Sequence, residues 1–315
     1  MIFDDIGSFP LPAGIRREWA EKNYGTKEYA EMVKRAYLMK LKAGVELPNY
    51  PQFRDMNQMF LNPIKNEEFQ EEPYLIRKKH ALIPEVSALM DMEVEALRVC
   101  ITGPFEIYYR EFGGIIYNDL LDKIAMSIER FVENLNPDVV RCISFDEPSL
   151  GTNPELQPTH DQLETAYGKM KFSGDVQIHL HSPLFYTEIL DLRSINVIGI
   201  ESARDERAMD FVDPEDLESH DKFLRIGIAR SDIDGIVAEY NSRYRVNVWG
   251  DPDKIGLAID EIENPETIEK RLRRALDLFG ERLKYIGPDC GLFSFPSQEN
   301  AVKLLENVRE AKERI

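Results

Sequence analysis

Short apolar runs alternate with amphipathic segments along nearly the whole chain. The apolar runs have the length of buried strands, and many are closed by glycine, proline or acidic residues. Between them, apolar residues recur at helical spacing, as in Tyr29, Val33, Tyr37 and Leu41. This alternation predicts a parallel β-sheet that is covered by helices.

The number of strands indicates how the sheet is arranged. We predict roughly eight strands, which begin near residues 2, 45, 97, 139, 176, 196, 255 and 284. Eight strand–helix units favour a (β/α)8 TIM barrel, built by residues 1–315 as a single catalytic domain. No GxGxxG fingerprint follows a strand, which argues against a dinucleotide-binding fold.

The region 205–254 allows two interpretations. The strand-like run 224–229 is either the seventh barrel strand or part of an inserted hairpin. We favour an insertion near residues 205–254, which leaves 255–260 as the seventh strand.

Composition narrows the classes of partner. The formal net charge is −18, with both signs interspersed, which disfavours nucleic acid and anionic membranes as partners. No stretch resembles a membrane span or a signal peptide. The three cysteines, Cys100, Cys142 and Cys290, are far apart and odd in number, which indicates a reducing compartment. We therefore expect a cytoplasmic protein.

Polar and ionisable residues are concentrated where the predicted strands end. These residues are Ser8, Tyr50, Thr102, Asp146 with Glu147, His181, Glu201, Asp260 with Glu261, and Cys290. In a TIM barrel the active site is built at the carboxyl ends of the strands. A barrel built only for stability would not need this concentration, which therefore predicts a functional site.

Three of these residues have side chains that bind zinc. His181, Glu201 and Cys290 would supply an imidazole, a carboxylate and a thiolate, and a catalytic zinc keeps a fourth position open. The alternative is three unrelated structural roles: a hydrogen-bonded histidine, an ion-paired glutamate and a buried cysteine. His179 points to the same side of its strand as His181, so it could be a ligand, orient His181 or bond within the barrel.

The acidic pair Asp146–Glu147 also has two interpretations. It could hold a substrate ammonium group or act as a base. Alternatively, the two carboxylates cap the next segment of the chain.

Six motifs, in chain order, carry a resemblance to a known family. They are Ile6-Gly7-Ser8-Phe9-Pro10, Thr102-Gly103-Pro104, Asp146-Glu147-Pro148, His179-Leu180-His181, Ile200-Glu201-Ser202-Ala203-Arg204 and Pro288-Asp289-Cys290-Gly291-Leu292. With them the chain resembles the catalytic C-terminal barrel of cobalamin-independent methionine synthase. In size it is closer to the single-barrel "core" methionine synthases of archaea and anaerobic bacteria.

The resemblance implies a methyltransferase that acts on a thiol. It implies that His181, Glu201 and Cys290 bind Zn²⁺, and that the zinc activates the acceptor thiol for methylation. It also implies that Ile6, Ser8 and Asp146 hold the amino-acid part of homocysteine. We include Tyr50 and Thr102 among the substrate-binding residues, and Asp146 and Glu261 as the catalytic residues.

Several positions depart from the family pattern. Ser182-Pro183 follows His181 where the family has a second zinc thiolate, so one ligand is expected to be missing. Tyr50 replaces a glutamate that binds homocysteine, Glu261 lies where a histidine proton donor is expected, and Arg110 replaces a tryptophan that stacks on folate.

These departures leave the donor and the acceptor open. The missing folate contacts favour a methyl-corrinoid as the methyl donor, which a separate corrinoid protein could carry. The acceptor is homocysteine or a different thiol such as coenzyme M. A barrel that has lost catalysis and binds a ligand or a partner protein is the remaining alternative.

Overall fold

A computed structural model describes residues 1–315, and its strands form a curled parallel sheet. The strands are β1 (Ile2–Phe3), β2 (Gln70–Glu72), β3 (Leu75–Ile76), β4 (Leu97–Thr102), β5 (Val140–Asp146), β6 (Asp175–Leu180), β7 (Val197–Ile200), β8 (Phe223–Ala229) and β9 (Leu283–Pro288). Seven of them pair in the order β1-β9-β8-β7-β6-β5-β4, and every pairing in this sheet is parallel. Strands β2 and β3 form a separate antiparallel hairpin.

The extended segment 47–52 occupies the gap between β1 and β4. Isolated parallel bridges join Asp4 to Leu47 and Ser8 to Gln52 on one side, and Asn49 to Arg98 on the other. The segment contains two prolines, which have no N–H to donate, so a regular ladder cannot form. It is nevertheless the second strand position, and it completes the ring of eight that the sequence predicts.

Helices cover the outside of the ring. They are α1 (Arg17–Asn23), α2 (Lys27–Lys42), α3 (Met56–Lys65), α4 (Pro84–Leu89), α5 (Pro104–Phe112), α6 (Asn118–Glu133), α7 (His160–Tyr167), α8 (Tyr186–Ile189), α9 (Pro214–Ser219), α10 (Ile233–Tyr244), α11 (Pro252–Ile262), α12 (Pro265–Phe279) and α13 (Gln298–Glu313). Short 3₁₀ turns lie at Lys78–His80, Pro183–Phe185, Glu206–Phe211 and Gly280–Arg282. None of the helices is long and apolar enough to cross a membrane.

Local sequence signals set the ends of these helices. Asn264 caps α12 by accepting from the Thr267 N–H, Pro265 is its first residue, and Gly280 follows its end with φ of 51°. Thr159 begins α7 with a capping box that Gln162 completes. Capping residues therefore set where these two helices begin.

The seventh strand differs from the one predicted. Residues 224–229 belong to β8, whereas 255–260 lie within α11, so the expected insertion near 205–254 is wrong. The physical reason is periodicity. Ile255, Ala258, Ile259 and Ile262 are the buried residues of α11, and their spacing is that of one helix face rather than of a strand.

A charged cluster lies inside the barrel. Asp4, which follows β1, accepts from Arg98 of β4 at 2.6 Å and from Arg225 of β8 at 3.0 Å, and all three side chains are 0% exposed. Apolar residues from the outer faces of the strands pack against the helices. The barrel thus has a charged interior and an apolar outer layer.

Candidate metal centre

Four potential metal ligands meet at the carboxyl edge of the sheet. His179 lies in β6 and His181 directly follows it, Glu201 directly follows β7, and Cys290 follows β9. Their ligand atoms all lie within 4.8 Å of one another. Parallel strands bring their carboxyl ends to one edge, which is why residues so distant in sequence converge.

The spacing of these atoms fits a tetrahedral zinc ion. The Nε2 atom of His181 lies 3.5 Å from Oε1 of Glu201 and 3.7 Å from Sγ of Cys290. The Nε2 atom of His179 is 3.8 Å from the same Glu201 oxygen. Donors bound tetrahedrally at about 2.0 to 2.3 Å from an ion are roughly 3.3 to 3.8 Å apart. Most of these separations are too long for good hydrogen bonds but suit four donors around one ion.

His179 provides an independent sign of a metal. Its side chain is 1% exposed, and neither ring nitrogen has a hydrogen-bond partner. A buried polar group without a partner is costly, so native structures rarely keep one without a reason. Gly199 on the neighbouring strand lies beside the ring, and a Cβ there would lie 2.6 Å from Nε2 of Gln177 and 3.4 Å from Nδ1 of His179. A bound metal ion would satisfy one nitrogen.

Burial sets the protonation of the four groups. It lowers the pKa of both His179 and His181, so these imidazoles are neutral near pH 7, the form that binds metals. Burial also raises the pKa of Cys290, and it raises the pKa of Glu201 to about 8 with a contribution from Asp289. Metal binding would therefore release protons from the thiol and the carboxyl group.

The set of candidate ligands is larger than the one expected from the sequence. We expected three ligands with a gap at Ser182-Pro183, because same-side neighbours on a regular strand are nearly 7 Å apart. The rings of His179 and His181 have centroids 5.4 Å apart, which is close enough for both to reach one ion. His181 lies just beyond the last residue of β6, where the strand spacing no longer applies.

Asp146 lies next to the metal centre. It pairs in register with His179 of β6 on one side and with Thr102 of β4 on the other. Its side chain accepts from the Ser144 hydroxyl at 3.2 Å and is almost fully buried. Burial raises the pKa of Asp146 to about 6, against the partly offsetting charge of Arg98.

The other predicted substrate-binding residues have different surroundings. The Tyr50 hydroxyl donates to the Cys100 carbonyl at 2.7 Å, and the Thr102 hydroxyl donates to the Met56 carbonyl at 2.7 Å. Both groups thus support the backbone. Ile6 is 3% exposed. Ser8 lies beside the loop after β9, because a Cβ at Gly291 would fall 2.0 Å from its Oγ atom.

Glu261 lies elsewhere than the sequence suggested. It is on α11, not at a strand end, and its 44% exposed carboxylate accepts from Tyr244 at 2.6 Å and Arg243 at 3.3 Å. Because the seventh strand is β8, the strand end holds Ser231 instead, whose Oγ accepts from the Cys290 N–H at 3.1 Å. The prediction that Glu261 lies at a strand end is therefore wrong.

Sequence reasoning missed two further residues near this edge. Gln52 is 3% exposed and donates to the Tyr50 hydroxyl at 2.7 Å, directly beside Gly7 and Ser8. Asp289 immediately precedes Cys290 and accepts three backbone hydrogen bonds. Only the position of Asp289 between a predicted strand and a candidate ligand could have drawn attention to it.

Known proteins share this arrangement of strands. A B12-independent methionine synthase from Shewanella sp. W3-18-1, solved with selenomethionine, superposes with a TM-score of 0.64 at 13% identity, covering 99% of this chain and 96% of that one. This similarity shows the fold. No family model matches the chain.

Curated relatives match at the level of sequence. A 5-methyltetrahydropteroyltriglutamate–homocysteine methyltransferase from Buchnera aphidicola is 24% identical over 350 residues, which cover 98% of this chain and 42% of the relative. A relative of the same name from Lactiplantibacillus plantarum is 27% identical, covering 69% of this chain and 26% of the relative. The chain therefore spans less than half the length of these relatives.

These similarities also correct the expected methyl donor. The relatives are named for a methyltetrahydropteroyl donor, and the Shewanella protein is described as B12-independent, so a methyl-corrinoid donor and a corrinoid protein partner find no support. The resemblance inferred from the six motifs is confirmed: along nearly its whole length the chain resembles cobalamin-independent methionine synthase, and it has the fold of a B12-independent methionine synthase.

Proposed function

We propose that this barrel is a zinc-dependent thiol S-methyltransferase whose acceptor is homocysteine. The observation that carries the proposal is the cluster of His179, His181, Glu201 and Cys290, in which a fully buried histidine has no partner other than these candidate ligands. The names of the curated relatives supply the acceptor. The four residues would hold the zinc.

The protonation behaviour of the four side chains suits a bound cation. Two neutral imidazoles offer lone pairs, and the carboxyl group of Glu201 and the thiol of Cys290 can each lose a proton to the solvent. The side chains of Glu201 and His181 are 26% and 37% exposed, so the acceptor can approach from their side. A bound zinc ion would keep the acceptor sulfur as a thiolate at neutral pH, which is the nucleophilic form.

Asp146 is proposed to bind the ammonium group of the acceptor. It lies one strand from His179 at the same edge, and a buried carboxylate with few partners gains most from a cationic ligand. Ser8 is proposed to contact the acceptor from the opposite side, beside the loop that carries Cys290. In the overall reaction a bond forms between the methyl carbon and the acceptor sulfur, and the bond from this carbon to the donor breaks.

Zinc content and affinity test the metal centre. We expect one zinc per chain in the wild-type protein. His179→Ala and Cys290→Ala should lower zinc affinity, measured by chelator competition, by more than the roughly 10- to 100-fold typical of groups that only orient a ligand. His220→Ala is the matched control, because His220 lies on the surface after α9. A Cys290→Ala protein with wild-type affinity would contradict the proposed site.

Thiol binding tests the acceptor independently of the donor. Homocysteine should bind the zinc-loaded protein more tightly than homoserine, which lacks the sulfur, and removal of zinc should abolish the difference. Asp146→Asn should weaken homocysteine binding and leave zinc affinity unchanged. Methionine formation is then assayed with 5-methyltetrahydropteroyltriglutamate, the donor named for the relatives. Preference for coenzyme M, or equal binding of homocysteine and homoserine, would refute homocysteine as the acceptor.

A further inference from the structure

Asp289 connects two ends of the sheet that are not neighbours. Its Oδ1 accepts from the backbone N–H groups of Ser202 and Ala203, both at 2.9 Å, and its Oδ2 accepts from the N–H of Arg204 at 3.1 Å. These three N–H groups directly follow Glu201, while Asp289 directly precedes Cys290. The buried carboxylate of Asp289 therefore binds the backbone next to Glu201, while Asp289 itself is the residue before Cys290.

The connection crosses an intervening strand. Glu201 follows β7 and Cys290 follows β9, but β8 lies between these two strands in the sheet. No ladder of hydrogen bonds can therefore join the two ends directly. The Asp289 side chain makes this connection instead, because Asp289 follows β9 and its carboxylate binds the loop after β7.

The middle strand is shaped to let the carboxylate pass. A Cβ at Gly227 of β8 would lie only 2.1 Å from Oδ1 of Asp289, so no larger residue fits there without moving the carboxylate. Ser202 donates its hydroxyl to the Gly227 carbonyl at 2.8 Å, and the Asp289 N–H donates to the Ala229 carbonyl at 2.8 Å. All three strands thus contribute to holding this one side chain.

We propose that Asp289 is a positioning residue that sets the distance between Glu201 and Cys290. The inference rests on the proposed function, because it assumes that these two residues bind one metal ion. Asp289 would not contact the ion itself. A preset spacing lets the ion bind without the loops having to order first, so loss of the carboxylate should appear as weaker metal binding.

A graded set of variants tests the inference. Asp289→Ala removes all three acceptor contacts. Asp289→Asn keeps one oxygen, which can still accept from Ser202 and Ala203. Its N–H₂ group cannot accept from the Arg204 N–H, so that contact is lost. Gly227→Ala keeps the carboxylate but displaces it together with the Asp289 backbone, because the added Cβ would lie 2.1 Å from Oδ1 and 2.7 Å from Cα of Asp289.

Asp175 provides the matched control. It also connects three segments, because it lies in β6 and accepts from Asn196, which precedes β7, and from Lys284 and Tyr285 of β9. The distances to Asn196 and Lys284 are both 2.7 Å. It lies at the first residue of β6, at the end of the sheet opposite the metal centre. Asp175→Asn should therefore affect stability without affecting the metal.

The readouts are zinc affinity by chelator competition and the thermal midpoint of the metal-free protein. We expect Asp289→Ala to weaken zinc binding roughly 10- to 100-fold, Asp289→Asn to weaken it less, and Gly227→Ala to weaken it measurably. Asp175→Asn should keep wild-type zinc affinity even if its midpoint falls. Wild-type affinity in folded Asp289→Ala and Gly227→Ala proteins would overturn this inference alone. A wild-type protein that binds no zinc would overturn the proposed function and this inference together.

Discussion

Asp146, the residue proposed to bind the acceptor, is a buried carboxyl group whose surroundings disfavour its charged form. Its carboxyl group is buried at the carboxyl edge of the sheet, and no cation contacts it directly. Such a group costs the folded state free energy once it is ionised. We interpret this cost as the consequence of keeping a carboxylate ready for a cationic ligand.

Replacing Asp146 with asparagine should make the stability less dependent on pH. The pKa of Asp146 in the folded state, about 6, is above its ordinary value of 3.8, so its contribution to stability is complete below about pH 4 and is lost as the pH rises through 6. An asparagine stays neutral throughout. Urea unfolding of the metal-free proteins should therefore show a gain for Asp146→Asn at pH 8, up to about 3 kcal/mol, that vanishes near pH 4.

Asp205 supplies the control for this measurement. It is fully exposed, and hydrogen bonds from Arg207 lower the pKa of its carboxyl group to about 2. Its contribution to stability is present above its unfolded pKa and is lost as the pH falls through the folded value. Asp205→Asn should show no gain at pH 8, and a similar gain in both variants would mean that burial of Asp146 is not the cause.

At the scale of elements, the strands are joined by charges as well as by backbone hydrogen bonds. Asp4, which directly follows β1, is the counter-ion of both Arg98 and Arg225, and it thereby links the end of β1 to β4 and β8. Neither arginine contacts another carboxylate within 4 Å. Two buried guanidinium groups therefore depend on one aspartate.

Asp4→Asn should be among the most destabilising substitutions in the barrel. It leaves two buried guanidinium groups without a counter-ion, and breaking a buried ion pair costs roughly 3–5 kcal/mol. Chemical denaturation measures the loss. Asp210→Asn, which breaks the exposed pair with Arg274, should cost no more than about 1 kcal/mol. Equal losses in the two variants would show that the interior cluster has no special role.

For the whole molecule, metal binding should be linked to folding. The candidate ligands come from β6, β7 and β9, and only the folded barrel brings them together. A ligand that binds only the folded state adds about 2.7 kcal/mol of stability at 100 times its Kd. Zinc should therefore raise the thermal midpoint of the metal-free wild-type protein.

Two controls make this shift specific. Magnesium prefers oxygen ligands in octahedral geometry and should leave the midpoint unchanged. The Cys290→Ala protein should respond to zinc much less than the wild type does. An equal response in that variant would indicate that the stabilising zinc ions bind elsewhere on the acidic surface.

Much of the fold could be predicted from local patterns in the sequence. The alternation of strands and helices, the number of units and the capped ends of α7 and α12 are local properties, because they depend on residues a few positions apart. The strand ends at His181, Glu201 and Cys290 were located in the same way. Once the barrel is inferred, their convergence at one edge follows from parallel strands alone.

The tertiary structure decided the rest. Both 224–229 and 255–260 are short apolar runs, and only packing showed that β8 joins the sheet while the later run lies on a helix. His179 joins the candidate ligands because the chain leaves strand geometry just before His181. Asp289 binds the loop after β7 across β8, more than 80 residues away in sequence. Local sequence specifies where each strand ends, but contacts between distant segments exist only once the chain is folded, because they depend on how the strands are ordered around the barrel.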